Sequence, residues 1–241
     1  MNRRTTASTR SEVPLRQSTS SCAKRGVLAS FGVCLCLAAC AGYRGGWESV
    51  PYIGDPPRAL QEYRTPFEAH KRAEIELPGL NLGVGINNRT RTYDTQVYLY
   101  ALPLSIDPRN VQVEAVESGK TRITLRISKT DGAWVFRPRA AKLIVSGQAV
   151  KATEGYEFGM WDALGQRVAH GGNWAHRPVG DSLTLSDSAR TYLLSIEFSL
   201  LAPSPQEAGI ALDLSEALRA TGQPAIPLIR FHPMRWREGY T

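Results

Sequence analysis

From Ala73 onward this chain alternates apolar and polar residues with a period of two, and that alternation limits the folds open to it more than any other feature. Successive side chains of a strand point to opposite faces, so the pattern predicts strands with one buried face. Ile75 and Leu77 alternate with Glu74 and Glu76, and Leu80, Leu82, Val84 and Ile86 continue the beat through Asn81, Gly83 and Gly85. Val97, Leu99 and Ala101 oppose Gln96, Tyr98 and Tyr100, while Val111, Val113 and Ala115 oppose Gln112 and Glu114. After a Glu117-Ser118-Gly119-Lys120 turn, Ile123, Leu125 and Ile127 face away from Arg122, Thr124 and Arg126, as in an antiparallel hairpin with one wet face. Leu143 to Val145 and Gln148 to Ala152 read as another hairpin across Ser146-Gly147. Tyr192, Leu194, Ile196, Phe198 and Leu200 stripe one long strand.

One helix is expected. Asp213-Leu214-Ser215-Glu216 has the form of a capping box, Leu214, Ala217 and Leu218 share a helical face, and Gly222 supplies a stop. At about two turns it is a connector rather than a layer. Ala225 to Trp236 is strand-like, with Pro227 and Pro233 confining it to a sheet edge. Trp134 and Trp236 lie within strand-like runs and are expected in the core. Many short strands without intervening long helices predict a mainly β domain, an antiparallel β-sandwich of immunoglobulin-like or related type with one short connecting helix.

The N-terminal region has a different grammar. Basic residues at Arg16, Lys24 and Arg25 precede a 13-residue apolar run, Val27 to Ala39, which ends in Leu37-Ala38-Ala39-Cys40. Thirteen residues are too few for a helix that crosses a bilayer, which takes about 20. The order of parts resembles a bacterial lipoprotein leader. That resemblance implies lipidation of the Cys40 thiol, removal of residues 1–39 as a signal peptide, and a mature chain beginning at Cys40. Ala41 is not the aspartate that marks inner-membrane retention in such proteins, so the resemblance implies an outer-membrane anchor facing the periplasm. Between Ala41 and Arg72, Gly45-Gly46, Pro51, Gly54, Pro56-Pro57 and Pro66 interrupt any regular element. Residues 40–72 therefore read as a lipid-attached tether, which at about 30 residues reaches up to roughly 100 Å, and residues 73–241 as the folded domain.

Removing such a leader changes what the composition means. The whole chain carries +7, but residues 1–39 hold six Lys/Arg and one acidic residue, leaving +2 on the remainder. Basic and acidic residues are interspersed there, which argues against nucleic acid as a partner. Cys22, Cys34, Cys36 and Cys40 are the only cysteines, so a chain beginning at Cys40 has no thiolate metal site, no iron-sulfur cluster and no cysteine nucleophile within its fold.

Motifs for catalysis are sparse. The four histidines are His70, His170, His176 and His232, and His170-Gly171-Gly172 is not accompanied by a G-x-S-x-G elbow. Ser146 lacks the preceding glycine and reads as a turn residue. His170 and His176 have no H-E-x-x-H and no third ligand at useful spacing, so neither a metal nor another cofactor is expected. Gly83-Val84-Gly85 lacks the third glycine and the following helix of a dinucleotide site. Asn88-Arg89-Thr90 fits a glycosylation sequon, which a bacterial leader makes irrelevant.

The segment from Gly155 to Pro178 concentrates Tyr156, Phe158, Met160, Trp161, Trp174, two histidines and five glycines. Two readings stay open. Tyr156, Phe158 and Trp161 are core residues of a strand pair turned by Gly171-Gly172, or the segment presents a binding surface built from Trp161, His170, Asn173, Trp174 and His176. The functional expectation is a lipid-anchored, non-catalytic periplasmic binding or envelope-associated module, with a protein or cell-envelope polysaccharide as partner and the membrane reached through the N-terminal lipid. The alternative is a periplasmic immunity or inhibitor lipoprotein that occludes a toxin or hydrolase.

Overall fold

The computed structural model describes residues 42–56, 74–96, 114–115 and 119–240. Cys40, the residues before it, and the alternating stretches 97–101 and 111–113 lie outside the described residues, as do Glu117 and Ser118. Among the described residues fifteen strands run in the order β1 (Gly42–Tyr52), β2 (Glu74–Leu77), β3 (Leu80–Ile86), β4 (Thr90–Gln96), β5 (Glu114–Ala115), β6 (Lys120–Lys129), β7 (Trp134–Phe136) and β8 (Lys142–Val145). They continue as β9 (Gln148–Trp161), β10 (Asn173–Pro178), β11 (Leu183–Leu185), β12 (Thr191–Leu201), β13 (Ala211–Asp213), β14 (Leu218–Ala220) and β15 (Ile229–Tyr240).

Twelve of these make one antiparallel sheet, ordered β2-β3-β6-β12-β9-β8-β13-β15-β1-β4-β5, with β10 added on β9. The sheet curls into a half-barrel. β11, β7 and β14 make a second sheet of three strands. Its Trp134, Phe136, Leu185 and Leu218 join Leu80, Leu82, Ile123, Leu125, Ile127, Tyr192, Leu194, Ile196 and Phe198 in a single apolar cluster. The alternation is the cause: in β6 each residue from Lys120 to Ile127 switches between exposed and buried, with Ile123, Leu125 and Ile127 inside and Arg122, Thr124 and Arg126 outside. Trp134 and Trp236 are both buried, as expected.

Several expectations need correction. β6 does not pair back across residues 117–120; it lies between β3 and β12, and β5 pairs with β4 instead. The capping-box segment is not a helix. Asp213 Oδ1 accepts hydrogen bonds from the Ser215 amide (3.0 Å) and hydroxyl (2.6 Å), which closes a turn between β13 and β14. Leu214, Ala217 and Leu218 are all buried, so tertiary packing draws this short segment into the turn and strand rather than a helix. Among the described residues the helical element is a single 3-10 turn, Pro138–Ala140.

The stretch 42–52, expected within the tether, is instead an eleven-residue strand. It pairs along its length with β15 and, from Gly42 to Trp47, with β4. The residues that look like strand breakers are what make this pairing possible. A Cβ on Gly46 would stand 1.9 Å from the Thr90 carbonyl oxygen, and the register with β4 shifts between Gly45 and Gly46. Pro51 falls beyond the stretch paired with β4, and Pro233 beyond the two β15 residues that pair with β13. Both prolines thus sit where one ladder has already ended, but the expectation of a sheet edge fails for the strand as a whole: β15 lies between β13 and β1, and Pro227 precedes it. The Ser146-Gly147 hairpin forms between β8 and β9, with φ of 51° and 83° at its two turn residues, the left-handed pair a two-residue hairpin turn demands.

Candidate functional site

The outer face of the large sheet is ordered by strand register. One row crosses six strands through Glu74, Gly83, Arg126, Leu193, Phe158 and His176. A second runs through Gly85, Thr124, Ser195, Tyr156 and Pro178. Gly83 and Gly85 supply no side chain to these rows. A Cβ on Gly85 would come within 2.7 Å of Thr124 Oγ1, so the neighbouring side chain occupies the space that glycine leaves. Across Gly83, Arg126 Nη1 reaches the Glu74 carboxylate at 3.4 Å.

Over these rows the half-barrel leaves a groove of about 580 Å³. It is lined by Glu48 to Pro51 of β1, by Asn87 and Arg89, and by Phe158 and His176 of the β9–β10 pair. Arg89 Nε lies 3.9 Å from Glu48, and its guanidinium rests 3.5 Å above the Trp236 ring. The groove is therefore lined by apolar surface and two charge-balanced pairs. Behind its wall Asn88 is buried and its Nδ2 donates to Ser49 Oγ at 2.8 Å, so the sequon asparagine is a structural residue inaccessible to a modifying enzyme in the folded chain.

At the groove's aromatic end, Phe158 stacks with Trp174 at 5.2 Å between ring centroids and packs against His176 at 4.8 Å. Trp174 is 60% exposed, unusual for a residue of its size. On the same face, Tyr156 donates its hydroxyl to the Glu154 carboxylate. That bond, with partial desolvation and the nearby Glu197 charge, pushes the phenol up to about 12, and it stays protonated at any physiological pH.

The opposite face of the β9–β10 hairpin has other chemistry. Glu157 is buried and takes ion pairs from both Arg167 and Arg190. Arg167 crosses Gly159, where a Cβ would stand 2.9 Å from its Nη1, and Arg190 lies 4.2 Å over the Tyr192 ring. Burial pulls both guanidinium groups below the ordinary arginine value.

The five residues singled out from sequence divide between these surfaces. Trp174 and His176 share the groove face. Trp161 pairs with Asn173 on the opposite parity, donates Nε1 to the Ala175 carbonyl at 3.0 Å and carries Arg177 at 5.1 Å over its ring. His170 stands exposed in the 162–172 connection, outside the paired register. Tyr156, Phe158 and Trp161 do belong to a strand pair, but each is only partly buried and outside the apolar cluster, and the two strands are joined by the whole 162–172 connection rather than by a Gly171-Gly172 turn; Trp174 and His176 are exposed. Sequence reasoning passed over Glu48, Glu74, Arg89 and Arg126, whose available signal was glycine recurring on the polar side of β3, opposite Arg126 and Thr124.

Among the described residues no group of three or more His, Cys, Asp or Glu side chains is placed to hold a metal ion, and no helix is long and apolar enough to cross a membrane. Compared with known proteins, the chain matches no family model, no curated protein and no solved structure.

Proposed function

We propose that this protein is a lipid-anchored, non-catalytic binding module of the bacterial cell envelope, held by Cys40 at the outer membrane and facing the periplasm, with a polysaccharide strand of the envelope as its ligand. The observation that carries the reading is the cluster of Trp174, Phe158 and His176, in which exposed Trp174 stacks on Phe158 beside the groove that Phe158 and His176 line. Aromatic faces take the apolar faces of sugar rings, and the adjoining Arg126–Glu74 and Arg89–Glu48 pairs offer donors and acceptors with no net charge to neutralise. The three-stranded sheet against the larger one supports a sandwich-like two-layer core, the finer form of the fold expectation. The test is cosedimentation of the lipid-free domain with purified envelope polysaccharide, wild type against Trp174→Ala and His176→Ala. Retention of the wild type alone is expected, and equal retention of all three would remove the groove from the argument.

The inhibitor alternative has one observation in its favour. The 162–172 connection is preorganised: Asp162 Oδ1 accepts from the amides of Leu164 (2.9 Å) and Gln166 (2.7 Å), and Arg177 donates to the Gly165 carbonyl (3.2 Å). It holds Leu164 at 85% exposure, the form a loop takes when it inserts into an enzyme cleft. Under this alternative Leu164→Ala abolishes inhibition of the target and leaves polysaccharide binding absent throughout.

A further inference from the structure

We infer that the domain has almost no tether and sits directly on the bilayer that carries its lipid, with the rim formed by the start of β1 and the ends of β4 and β15 as the membrane-facing surface. The inference rests on the reading of Cys40 as the lipid-bearing residue. Its independent support is the position of β1. Gly42 is already a ladder residue, paired with Tyr240 on one side and Gln96 on the other. Only Ala41 separates it from Cys40, and two peptide links hold the Cα atoms of Cys40 and Gly42 within about 8 Å of each other. A lipid on Cys40 must therefore enter the membrane beside these three strand ends, which arrive together because β1 runs antiparallel to both neighbours.

The same geometry places the groove. Its β1 wall, Glu48 to Pro51, lies six to nine residues along the strand, roughly 20–30 Å from the anchored end at about 3.3 Å per residue. The ligand site is thus held at a set height and orientation over the membrane rather than swinging on a long linker. Such a device suits a ligand layer that itself lies at a defined distance from the bilayer.

The experiment uses the full-length protein, processed in cells and reconstituted in liposomes whose headgroups carry a quencher. Once Cys40 is acylated no other cysteine follows it, so single fluorophores can be placed on Gln96→Cys, Tyr240→Cys or, at the far end of β1, Asp55→Cys. Labels at 96 and 240 are expected to lose most of their emission and the label at 55 to keep it. A Gly/Ser spacer of about thirty residues inserted between Ala41 and Gly42 is expected to restore emission at 96 and 240, because it frees the domain from the surface. Two label sites guard against one variant failing to fold. Equal quenching at 96, 240 and 55, or no response to the spacer, would overturn the seating while leaving the anchor intact. Absence of acyl mass on Cys40 would instead sink the anchor reading and the seating with it.

Discussion

The two faces of the β9–β10 hairpin are made by the same dozen or so residues, yet they answer to different demands. Glu157 on one face is buried beneath Arg167 and Arg190, with glycine at 159 clearing a path for a guanidinium. Phe158, Trp174 and His176 on the other face stack in the open beside a groove. A single step along the strand moves a residue from one role to the other. Proximity in sequence is therefore a poor guide to shared function in a β protein, and parity is a better one.

The sharpest way to break the comparison is to attack the buried face. Glu157→Ala leaves two half-buried guanidinium groups without their carboxylate. It is expected to cost about 3 kcal/mol in a denaturant melt, the low end for a broken buried pair because both arginines keep some solvent. Trp174→Ala on the exposed face is expected to move stability by less than about 1 kcal/mol, since its ring is more than half in water. If the two substitutions cost the same, the division into a structural and a binding face is wrong.

A gentler probe is titration of Tyr156. Its phenol is raised in the folded state, chiefly by its bond to Glu154, so the associated stability is fully present below pH 10 and is lost as pH rises through about 12. Glu154→Gln replaces the carboxylate that accepts the phenol's hydrogen bond with a neutral, weaker acceptor, leaving the Glu197 charge in place. The phenolate absorbance of Tyr156 is then expected to rise at lower pH than in the wild type, and an unchanged curve would remove Glu154 as the cause. The smallest effect expected is at the β13–β14 turn, outside the β9–β10 hairpin. There the Ser215 hydroxyl holds the Asp213 carboxyl below its ordinary value, with the Ser215 amide and Lys142 assisting. A depressed acid stabilises above its unfolded pKa and loses that contribution as pH falls. Ser215→Ala is therefore expected to shift the acid limb of unfolding slightly upward in pH, with no change at neutral pH in ligand retention.

How much of this was legible in the sequence follows from where burial is one-sided. β3, β6 and β12 could be read because solvent and core take alternate residues, and the Ser146-Gly147 turn because only certain residues tolerate its dihedrals. β1 could not. Gly45, Gly46 and Pro51 have the composition of a linker, and only the closeness of the Thr90 backbone explains why glycine is needed at 46. The turn at Asp213 carries a helix-start signature whose hydrogen bonds serve equally well to close a bend. For the site, Trp174 and His176 were visible as aromatics among glycines. Their partners in the groove come from strands tens of residues away, and no local pattern joins Glu48, Glu74, Arg89 and Arg126.

The central claim is that the exposed aromatic face binds and the buried arginine face supports it. The most direct measurement is retention of Trp174→Ala on purified envelope polysaccharide, with its denaturant melt recorded on the same sample. The expected result is a loss in affinity of about thirtyfold, near 2 kcal/mol, with an unchanged melt. A melt weakened by about 3 to 5 kcal/mol, the cost of truncating a buried tryptophan, with retention equal to wild type, would contradict the claim.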